Sequence, residues 1–357
     1  MKKFFRNIFL LFNLIAVFGL LGSYLAEKIS PADWWVPAFF GLAYPYLLLI
    51  NIIFILFWLF VKTRLALISF LAIVVGYGNL YHYFQLTDKQ TDKKGITLCS
   101  YNVKNFYGAD HLKRAEAAEK ILDYLMSKNP DIICIQEVYL KGQKSFTNKS
   151  GKNRLPDKTH LKYIHASKVG GQVTYSSYPI IHKDEVHFPN SGNMFIVSDL
   201  KIGKDTVRLF NCHLESYRFT DTDISKLDDI SLDQQVQSYK QVRYTGSKLK
   251  RAFVKRTKQA EALHQRISTS PYPVIVCGDF NDTPVSYTYH TVRDDLDDAF
   301  VESGKGIGNT YRGRLPSFRI DYILHSSIFE GYNFHVDKVN YSDHYPIHCV
   351  LIRRKDQ

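Results

Sequence analysis

The sequence of 357 residues has few cysteines, and none of them is closely paired with another. The five are Cys99, Cys134, Cys212, Cys277 and Cys349, and each lies in an apolar run that is typical of a strand. The spacing excludes the usual zinc sites, which take their ligands in close pairs, and the chain contains no HExxH pair. An odd number also argues against a disulfide framework, so we interpret the cysteines as small buried hydrophobic residues.

Charge is nearly absent from the first quarter of the chain. Of 46 basic and 34 acidic residues, only six and two lie up to Thr87, and the remainder has a composition ordinary for a soluble domain. Three apolar stretches lie in this part, at residues 7–24, 35–61 and 64–84. Each is long enough to cross a hydrocarbon core of about 30 Å as a helix, which favours a membrane anchor over a cleaved signal peptide. Pro37 and Pro45 predict that the second span is kinked or begins late.

The basic residues that flank these stretches predict an orientation. Three of them precede the first stretch, and Lys62 and Arg64 separate the second from the third. Because basic flanks stay in the cytoplasm, the amino terminus is expected there and the soluble part outside the inner (cytoplasmic) membrane of a bacterium-like cell. We expect a multi-pass anchor over residues 1–87, a linker over 88–95 and a soluble domain over 96–357.

From Ile96 onward, β-rich apolar runs recur, and six of them stop at Asn, Asp, Glu, Gln or His. Between them, residues 111–129 carry apolar side chains at helical spacing: Leu112, Ala115, Ala118, Ile121, Leu122 and Leu125. These patterns predict a mixed α and β domain around a large buried sheet. Turn chemistry accounts for one polar strand end, but six indicate oxygen ligands for Mg²⁺ or Mn²⁺ and imidazoles for proton transfer.

Seven of these segments occur in the order of motifs of a known superfamily: SYNV, IQEV, GQVTYSSYPI, NCHLES, GDFND, RIDYIL and SDHYPI. Between about Ile96 and Ile352, the chain thereby resembles the endonuclease/exonuclease/phosphatase superfamily of divalent-metal phosphodiesterases, which includes deoxyribonuclease-like enzymes and neutral sphingomyelinases. The resemblance implies an α+β fold, a four-layer α/β/β/α sandwich of two packed mixed sheets. The active site would lie at one edge of both sheets. The three transmembrane helices that the apolar stretches predict would precede this domain.

The resemblance also implies a site for Mg²⁺ or Mn²⁺. Glu137 is the expected principal ligand, because it ends a buried strand where a lone carboxylate is costly without a cation. Asn102 is expected to join it through its amide oxygen, directly or through water. Asp343 matches the family position that completes this site.

The catalytic residues follow from the same motifs. Asp321 is expected to hold His344, so that the oriented imidazole accepts a proton at neutral pH. Asp279 and Asn281 match a residue that orients or deprotonates water and an amide that binds the phosphate. Either His344 or Asp279 is therefore the formal base.

One further histidine belongs to this set. His213 matches a residue that contacts the scissile phosphate or assists the leaving group, and Asn211 is its expected support. Gly171 matches a tight approach before the central strand, and we interpret it as structural.

A basic run departs from the family pattern. Residues 238–260 contain eight basic and no acidic side chains. The run is suited to clamp a polyanion or to rest on anionic lipid headgroups, and a solvated helix face explains it equally well.

The sequence therefore predicts a membrane-tethered, metal-dependent hydrolase of phosphodiesters or phosphomonoesters, nuclease-like, whose substrate is a nucleic acid or a lipid headgroup. A phospholipid or sphingolipid headgroup phosphodiesterase is the alternative within this chemistry. A non-catalytic membrane scaffold is the alternative of another class, and it fits poorly with a full set of metal and imidazole positions.

Overall fold

The computed structural model describes residues 3–107, 111–139, 154–220, 222–223, 225, 235–313 and 316–354. Five helices come first: α1 (Lys3–Tyr24), α2 (Val36–Leu42), α3 (Tyr44–Val61), α4 (Thr63–Val75) and α5 (Tyr77–Tyr83). Part of the stretch between Leu214 and Lys258, whose second half contains most of the basic run, lies outside the described residues.

Two segments are long and apolar enough to cross a membrane, Lys3–Glu27 and Tyr44–Val61. Helices α4 and α5 pass the same test together but are bent by 66° where they meet, so the number of spans is three if this pair is one span. The second span begins late, as Pro37 and Pro45 predict, because the separate helix α2 precedes it and each proline occupies the first turn of its helix. The three apolar stretches thus correspond to two helices and one bent pair.

Four buried side chains join the three apolar elements through hydrogen bonds. Nε1 of Trp58 donates to Oδ1 of Asn13 (2.8 Å), and Nδ2 of Asn13 donates to Oγ of Ser69 (2.6 Å). Ser69 donates in turn to Oδ1 of Asn51 (2.9 Å). In an apolar environment, hydrogen bonds between helices supply packing specificity that the hydrophobic effect does not. This network therefore fixes how α1, α3 and α4 pack together.

The rest of the described chain forms two sheets and the helices on them. The strands are β1 (Ile96–Asn102), β2 (Ile132–Val138), β3 (Tyr163–Ala166), β4 (Gly171–Ser176), β5 (Ile180–His187), β6 (Met194–Ile202), β7 (Asp205–His213), β8 (Val274–Asp279), β9 (Asp297–Asp298), β10 (Asp321–His325), β11 (Phe329–Val336) and β12 (Ile347–Arg353). The helices are α6 (Arg114–Lys128), α7 (Arg154–Lys158), α8 (Gln235–Ser268), α9 (Tyr287–Arg293) and α10 (Ala299–Ser303). One sheet has the order β11-β12-β1-β2-β4-β3 and the other β5-β6-β7-β8-β10-β9. Both are mixed, because β1 and β2 are parallel, as are β7 and β8, whereas their other neighbours are antiparallel.

The sheets pack face to face, and helices cover both outer faces. Aliphatic residues of β1, β2, β8, β10 and β12 form the core between the sheets. Helix α6 covers the first sheet, and α8 and α9 cover the second. This architecture confirms the predicted α+β sandwich, and the five cysteines are buried within it. In α6, however, Ala115 is exposed and Ala117 takes its predicted place in the core.

The segment between α5 and β1 lies against the soluble domain. Gln85 and Gly306 exchange two backbone hydrogen bonds of 2.9 and 2.8 Å. Farther along, Nζ of Lys89 lies 2.5 Å from Oε1 of Glu330. Contacts, and not only the chain connection, therefore position the domain relative to the anchor.

Candidate active site

Polar side chains from both sheets meet at one edge of the sandwich. Strands β1, β2, β7 and β8 end there, whereas β10 begins there and the loop before β12 passes over it. His213 and Asp321 lie in register on the two sides of Asp279. The eight residues predicted as metal ligands or catalytic groups are all on these elements: Asn102, Glu137, His213, Asp279, Asn281, Asp321, Asp343 and His344.

The carboxylate of Asp279 is at the centre of the cluster. Its Oδ2 accepts hydrogen bonds from Nδ2 of Asn102 (2.9 Å) and Nδ2 of Asn281 (3.1 Å), and its Oδ1 accepts one from the backbone N–H of Asn281 (2.8 Å). The Nε2 atoms of His344 and His213 lie 3.7 and 3.8 Å from the same Oδ2. Burial raises the pKa of this carboxyl, although both imidazoles oppose the rise.

A glycine makes the position of Asp279 possible. Gly278 has a φ of +136°, and a Cβ at this residue would lie 2.0 Å from the backbone oxygen of Cys212 in β7. Any larger residue would separate β8 from β7, and with it Asp279 from His213.

His344 is oriented by Asp321, as the resemblance implies. Its Nδ1 lies 2.9 Å from Oδ2 of Asp321, and its ring contacts that of Tyr311 edge-on at 5.3 Å. Burial lowers the pKa of His344, but the carboxylates of Asp321 and Asp279 together outweigh this effect and raise the pKa to about 10. The two carboxylates thus favour the charged form of the ring, and the expectation that it accepts a proton stays a prediction.

Glu137 is turned toward the site by a bulge. The register between β2 and β4 shifts at this residue, and its φ of +51° is in the left-handed region, which costs a residue other than glycine about 1–3 kcal/mol. Its Oε1 accepts a hydrogen bond from Nδ2 of Asn102 (2.9 Å) and lies 3.3 Å from Nε2 of His213. Backbone strain of this kind is found where a side chain must be aimed for function.

Asn102 faces the cluster with its amide nitrogen rather than its oxygen. The nitrogen donates to Glu137 and Asp279, while the oxygen accepts from the backbone N–H of Lys104 (2.9 Å). Ligation through the oxygen, as expected from the resemblance, requires the amide to rotate and to give up the bond to Lys104.

Lys104 is a site residue that the motifs did not predict. Its Nζ lies 2.7 Å from Oδ2 of Asp343, and both side chains line the cavity that also contains Glu137. Burial lowers the pKa of Lys104, but the carboxylate of Asp343 in particular raises it, so the ammonium stays charged. The signal in the sequence was a basic residue two positions after Asn102.

Beneath the site, two amides connect the sheets. Nε2 of Gln136 donates to Oδ1 of Asn211 (2.8 Å), and Nδ2 of Asn211 donates to the backbone oxygens of Val173 (3.0 Å) and Ile135 (3.3 Å). Asn211 was expected to support His213. It instead joins β7 to β2 and β4 of the opposite sheet.

The basic run of α8 is divided between internal ion pairs and solvent. Arg256 is fully buried and lies 2.7 Å from Asp282, and Nζ of Lys248 lies 2.6 Å from Asp223. The exposed members are Lys240, Arg243, Lys250, Arg251 and Lys258. Only part of the run is therefore available to a polyanion or to headgroups.

The donor set fits a divalent cation. Glu137, Asp279 and Asp343 line one cavity, and the ligand atoms of Glu137, His213 and Asp279 all lie within 4.8 Å of one another. Nε2 of His213 is buried and has no hydrogen-bond partner within the described part of the chain. Carboxylates gathered in a buried site favour a cation, and oxygen donors favour a hard one.

Comparison with known proteins agrees with this geometry. Residues 99–344 match the model of the Endonuclease/Exonuclease/phosphatase family, and residues 6–83 match that of a domain of unknown function (DUF8431). No curated protein matches the chain.

Several solved structures are similar in fold. A humanized D. rerio TDP2 with 14 mutations is 17% identical, with a TM-score of 0.50 over 73% of this chain and 100% of that one. D. rerio TDP2 complexed with a single-strand DNA product is 18% identical (TM-score 0.49, 73% and 100% covered). An endonuclease/exonuclease/phosphatase family protein from Bacteroides thetaiotaomicron is 17% identical (TM-score 0.48, 74% and 97% covered).

Proposed function

The chain belongs to the endonuclease/exonuclease/phosphatase family and is a phosphoric ester hydrolase, and we propose that it hydrolyses phosphodiester bonds with a divalent cation while it is anchored in a membrane. One observation carries the proposal. The buried Asp279 and the His344 that Asp321 holds lie in one cavity with the carboxylates of Glu137 and Asp343. This combination supplies the groups that ester hydrolysis at phosphorus needs.

Glu137 and Asp343 are the proposed holders of the cation, which we take to be Mg²⁺ or Mn²⁺, with Asn102 beside them. When bound, the cation would neutralise negative charge on the phosphoryl oxygens. Nζ of Lys104 lies 2.7 Å from the carboxylate of Asp343. When Asp343 binds the cation, the ammonium of Lys104 would be released to form an ion pair with a phosphate oxygen instead.

Asp279 is the proposed acceptor of the proton of the attacking water. Asn281 fixes its carboxylate through two hydrogen bonds, and burial brings the pKa of the carboxyl up toward neutrality, where a general base works best. His344 is proposed to donate from Nε2 to a phosphoryl oxygen. His213, whose Nε2 lacks a hydrogen-bond partner among the described residues, is placed to assist the leaving oxygen.

The anchor is proposed to cross the membrane three times. Glu27, the last residue of the first span, lies 3.2 Å from His290 of the domain, and the backbone oxygen of His82, near the end of α5, accepts a hydrogen bond from Arg319 (2.5 Å). Helix α3 begins on the side of the membrane where the domain lies and ends on the opposite side, where α4 starts. Because α5 leads back to the domain, the bent pair of α4 and α5 must cross the membrane a third time. With basic flanks inside, the domain lies outside the cytoplasm.

Nucleic acids and lipid headgroups both contain the diester that this site accepts. A non-catalytic scaffold is disfavoured, because such a protein has no need to keep a strained Glu137 and a buried Asp279.

The test is turnover of the purified full-length protein with Mg²⁺ on bis(4-nitrophenyl) phosphate. Glu137→Gln and His344→Ala should each lower kcat by at least about a hundredfold, because one removes a cation ligand and the other the oriented imidazole. Chelation of the cation should abolish activity in the unaltered protein.

Glu116→Gln is the matched control, since Glu116 is exposed on α6 and does not line the cavity, and its kcat should not change. Activity that survives chelation, or normal turnover by His344→Ala, contradicts the mechanism. Hydrolysis confined to 4-nitrophenyl phosphate would make the enzyme a phosphomonoesterase.

A further inference from the structure

The anchor forms part of the wall of the catalytic cavity. The cavity has a volume of about 530 Å³, and Glu137, Asp279 and His344 lie on its polar side. Its other side includes Phe39, Leu42 and Tyr46, which belong to α2 and to the first turn of α3. One continuous space therefore extends from the reacting groups to the membrane anchor.

Close packing fixes this apolar wall relative to the reacting groups. A Cβ on Gly41 in α2 would lie 2.4 Å from the backbone oxygen of Val285, which shows how near α2 lies to the domain. The ring of Phe39 meets that of Phe253 of α8 edge-on at 5.3 Å. The wall is thus a rigid part of the site rather than a chance neighbour.

The wall also lies at the level where a lipid carries its phosphate. Helix α3, a candidate span, begins at Tyr44, so Leu42 and Tyr46 flank the point where the chain enters the hydrocarbon. Trp34 and Trp35 are exposed just before α2, and tryptophan prefers this interfacial region. Phospholipid phosphates occupy the same interfacial layer.

We propose that Phe39, Leu42 and Tyr46 bind the apolar part of a membrane lipid whose phosphodiester reaches Asp279 and Glu137; this assignment rests on the proposed hydrolytic function. One water is consumed. Its oxygen bonds to phosphorus as the ester P–O bond breaks, and its proton passes to Asp279 and on through His213, 3.8 Å away, to the leaving oxygen. The products are an alcohol and a phosphate monoester, and no other reactant is needed.

A nucleic acid fits the same space less well. The lysine and arginine on the cavity wall offer little to a chain of phosphates: Lys104 would be freed by the proposed cation for a single phosphate oxygen, and Arg218 is paired with Glu215 at 3.1 Å. A polyanion gains its affinity from unpaired cations along its backbone, and an anionic membrane surface beside the cavity would repel it. A lipid enters from the bilayer without either cost.

The experiment uses the full-length protein with Mg²⁺ in mixed micelles of phosphatidylglycerol, phosphatidylethanolamine and detergent. Three substrates are compared: these phospholipids, bis(4-nitrophenyl) phosphate and a short single-stranded DNA. The measured quantity is the ratio of the phospholipid rate to the bis(4-nitrophenyl) phosphate rate. Leu42→Ser and, separately, Tyr46→Ser should lower this ratio about tenfold, the effect of losing one apolar contact surface.

Leu49→Ser is the matched control, because Leu49 is an exposed residue of α3, the helix of Tyr46, and does not line the cavity. It should leave the ratio unchanged. Because the ratio is taken within each variant, a general loss of folded enzyme cancels out.

An unchanged ratio in both cavity variants overturns the inference. DNA cleavage without phospholipid turnover also overturns it and leaves an anchored nuclease. If no substrate is cleaved in a cation-dependent way, the proposed hydrolytic function has itself failed, which is a distinguishable result.

Discussion

Asp279 and His344 have opposite protonation preferences because of what lies next to each of them. The carboxyl of Asp279 is buried away from solvent, so its pKa rises. His344 lies next to two carboxylates that stabilise its positive charge, so its pKa rises as well. The sequence left open which of the two is the base. The contacts favour Asp279 as acceptor and His344 as donor, and these roles remain predictions.

Asp337 is a residue away from the cluster at which pH controls stability. Burial raises the pKa of Asp337, but polar contacts hold it below its usual value. The carboxylate is contacted by His348 (3.0 Å), Lys128 (2.5 Å) and the hydroxyl of Tyr124 (2.9 Å). A carboxylate with a depressed pKa in the folded state stabilises the fold above its unfolded pKa, and this contribution is lost as the pH falls toward the folded value.

We therefore expect Asp337→Asn to lower the melting temperature near neutral pH by about 3 °C, and the deficit to shrink as the pH falls from about 5 to about 3. The measurement is a thermal melt of both proteins in detergent across this range. Asp295→Asn, at an exposed position, is the control and should show no such trend. A deficit that is constant with pH would assign the loss to packing instead of charge.

Helix α2 is the element that couples the anchor to the catalytic domain. It lies between the two long apolar helices, and Gly41 packs closely against Val285 of the domain. Because both the wall of the cavity and this docking contact belong to α2, an altered fit should affect catalysis and stability together.

Gly41→Ala and Gly78→Ala form a matched pair that tests this docking. A Cβ at Gly41 would lie within 2.4 Å of Val285 and 2.6 Å of Ala26, whereas a Cβ at Gly78 in α5 meets nothing within 4 Å. Gly41→Ala should lower the melting temperature by about 2–6 °C and lower phospholipid turnover. Gly78→Ala should be neutral or slightly stabilising, because alanine is the better helix former. Equal melting temperatures for the two variants would mean that α2 does not pack on the domain as described.

At the scale of the whole molecule, contacts hold the helices of residues 3–83 against the domain: α2 packs on Val285, and Gln85 pairs with Gly306. With the membrane anchoring that we propose, these contacts leave the domain little freedom to move away from the membrane surface. Such confinement concentrates any membrane-borne substrate at the site without a new contact.

Orientation is tested by fusing a reporter that is active only outside the cytoplasm after Asp92. We expect activity, because the basic residues lie before the first span and around Lys62, on the face opposite the domain. A cytoplasmic reporter at the same position is the reciprocal control. If that reporter works and the first is silent, the domain faces the cytoplasm.

The family, the α+β sandwich and the hydrolase chemistry were predictable from the sequence, and all three are confirmed. The reason is local. Motifs such as GDFND and RIDYIL place each polar residue at the end of a strand, and strands that share a sheet bring those ends to the same edge. The pairing of Asp321 with His344 was implied by the family resemblance, and it joins the start of β10 in one sheet to the loop that leads into β12 of the other.

Other features depended on contacts between residues far apart in the chain, which only the tertiary structure decides. The sequence could not show that Asn211 would cross to the opposite sheet, or that Arg256 of a basic run would be buried against Asp282. Nor could it show that Leu42, from the N-terminal helices, would line the same cavity as Asp279. Local patterns determine which residues end a strand or enter a membrane, but the partner of a side chain is set by how the layers pack, and that packing is a property of the whole chain.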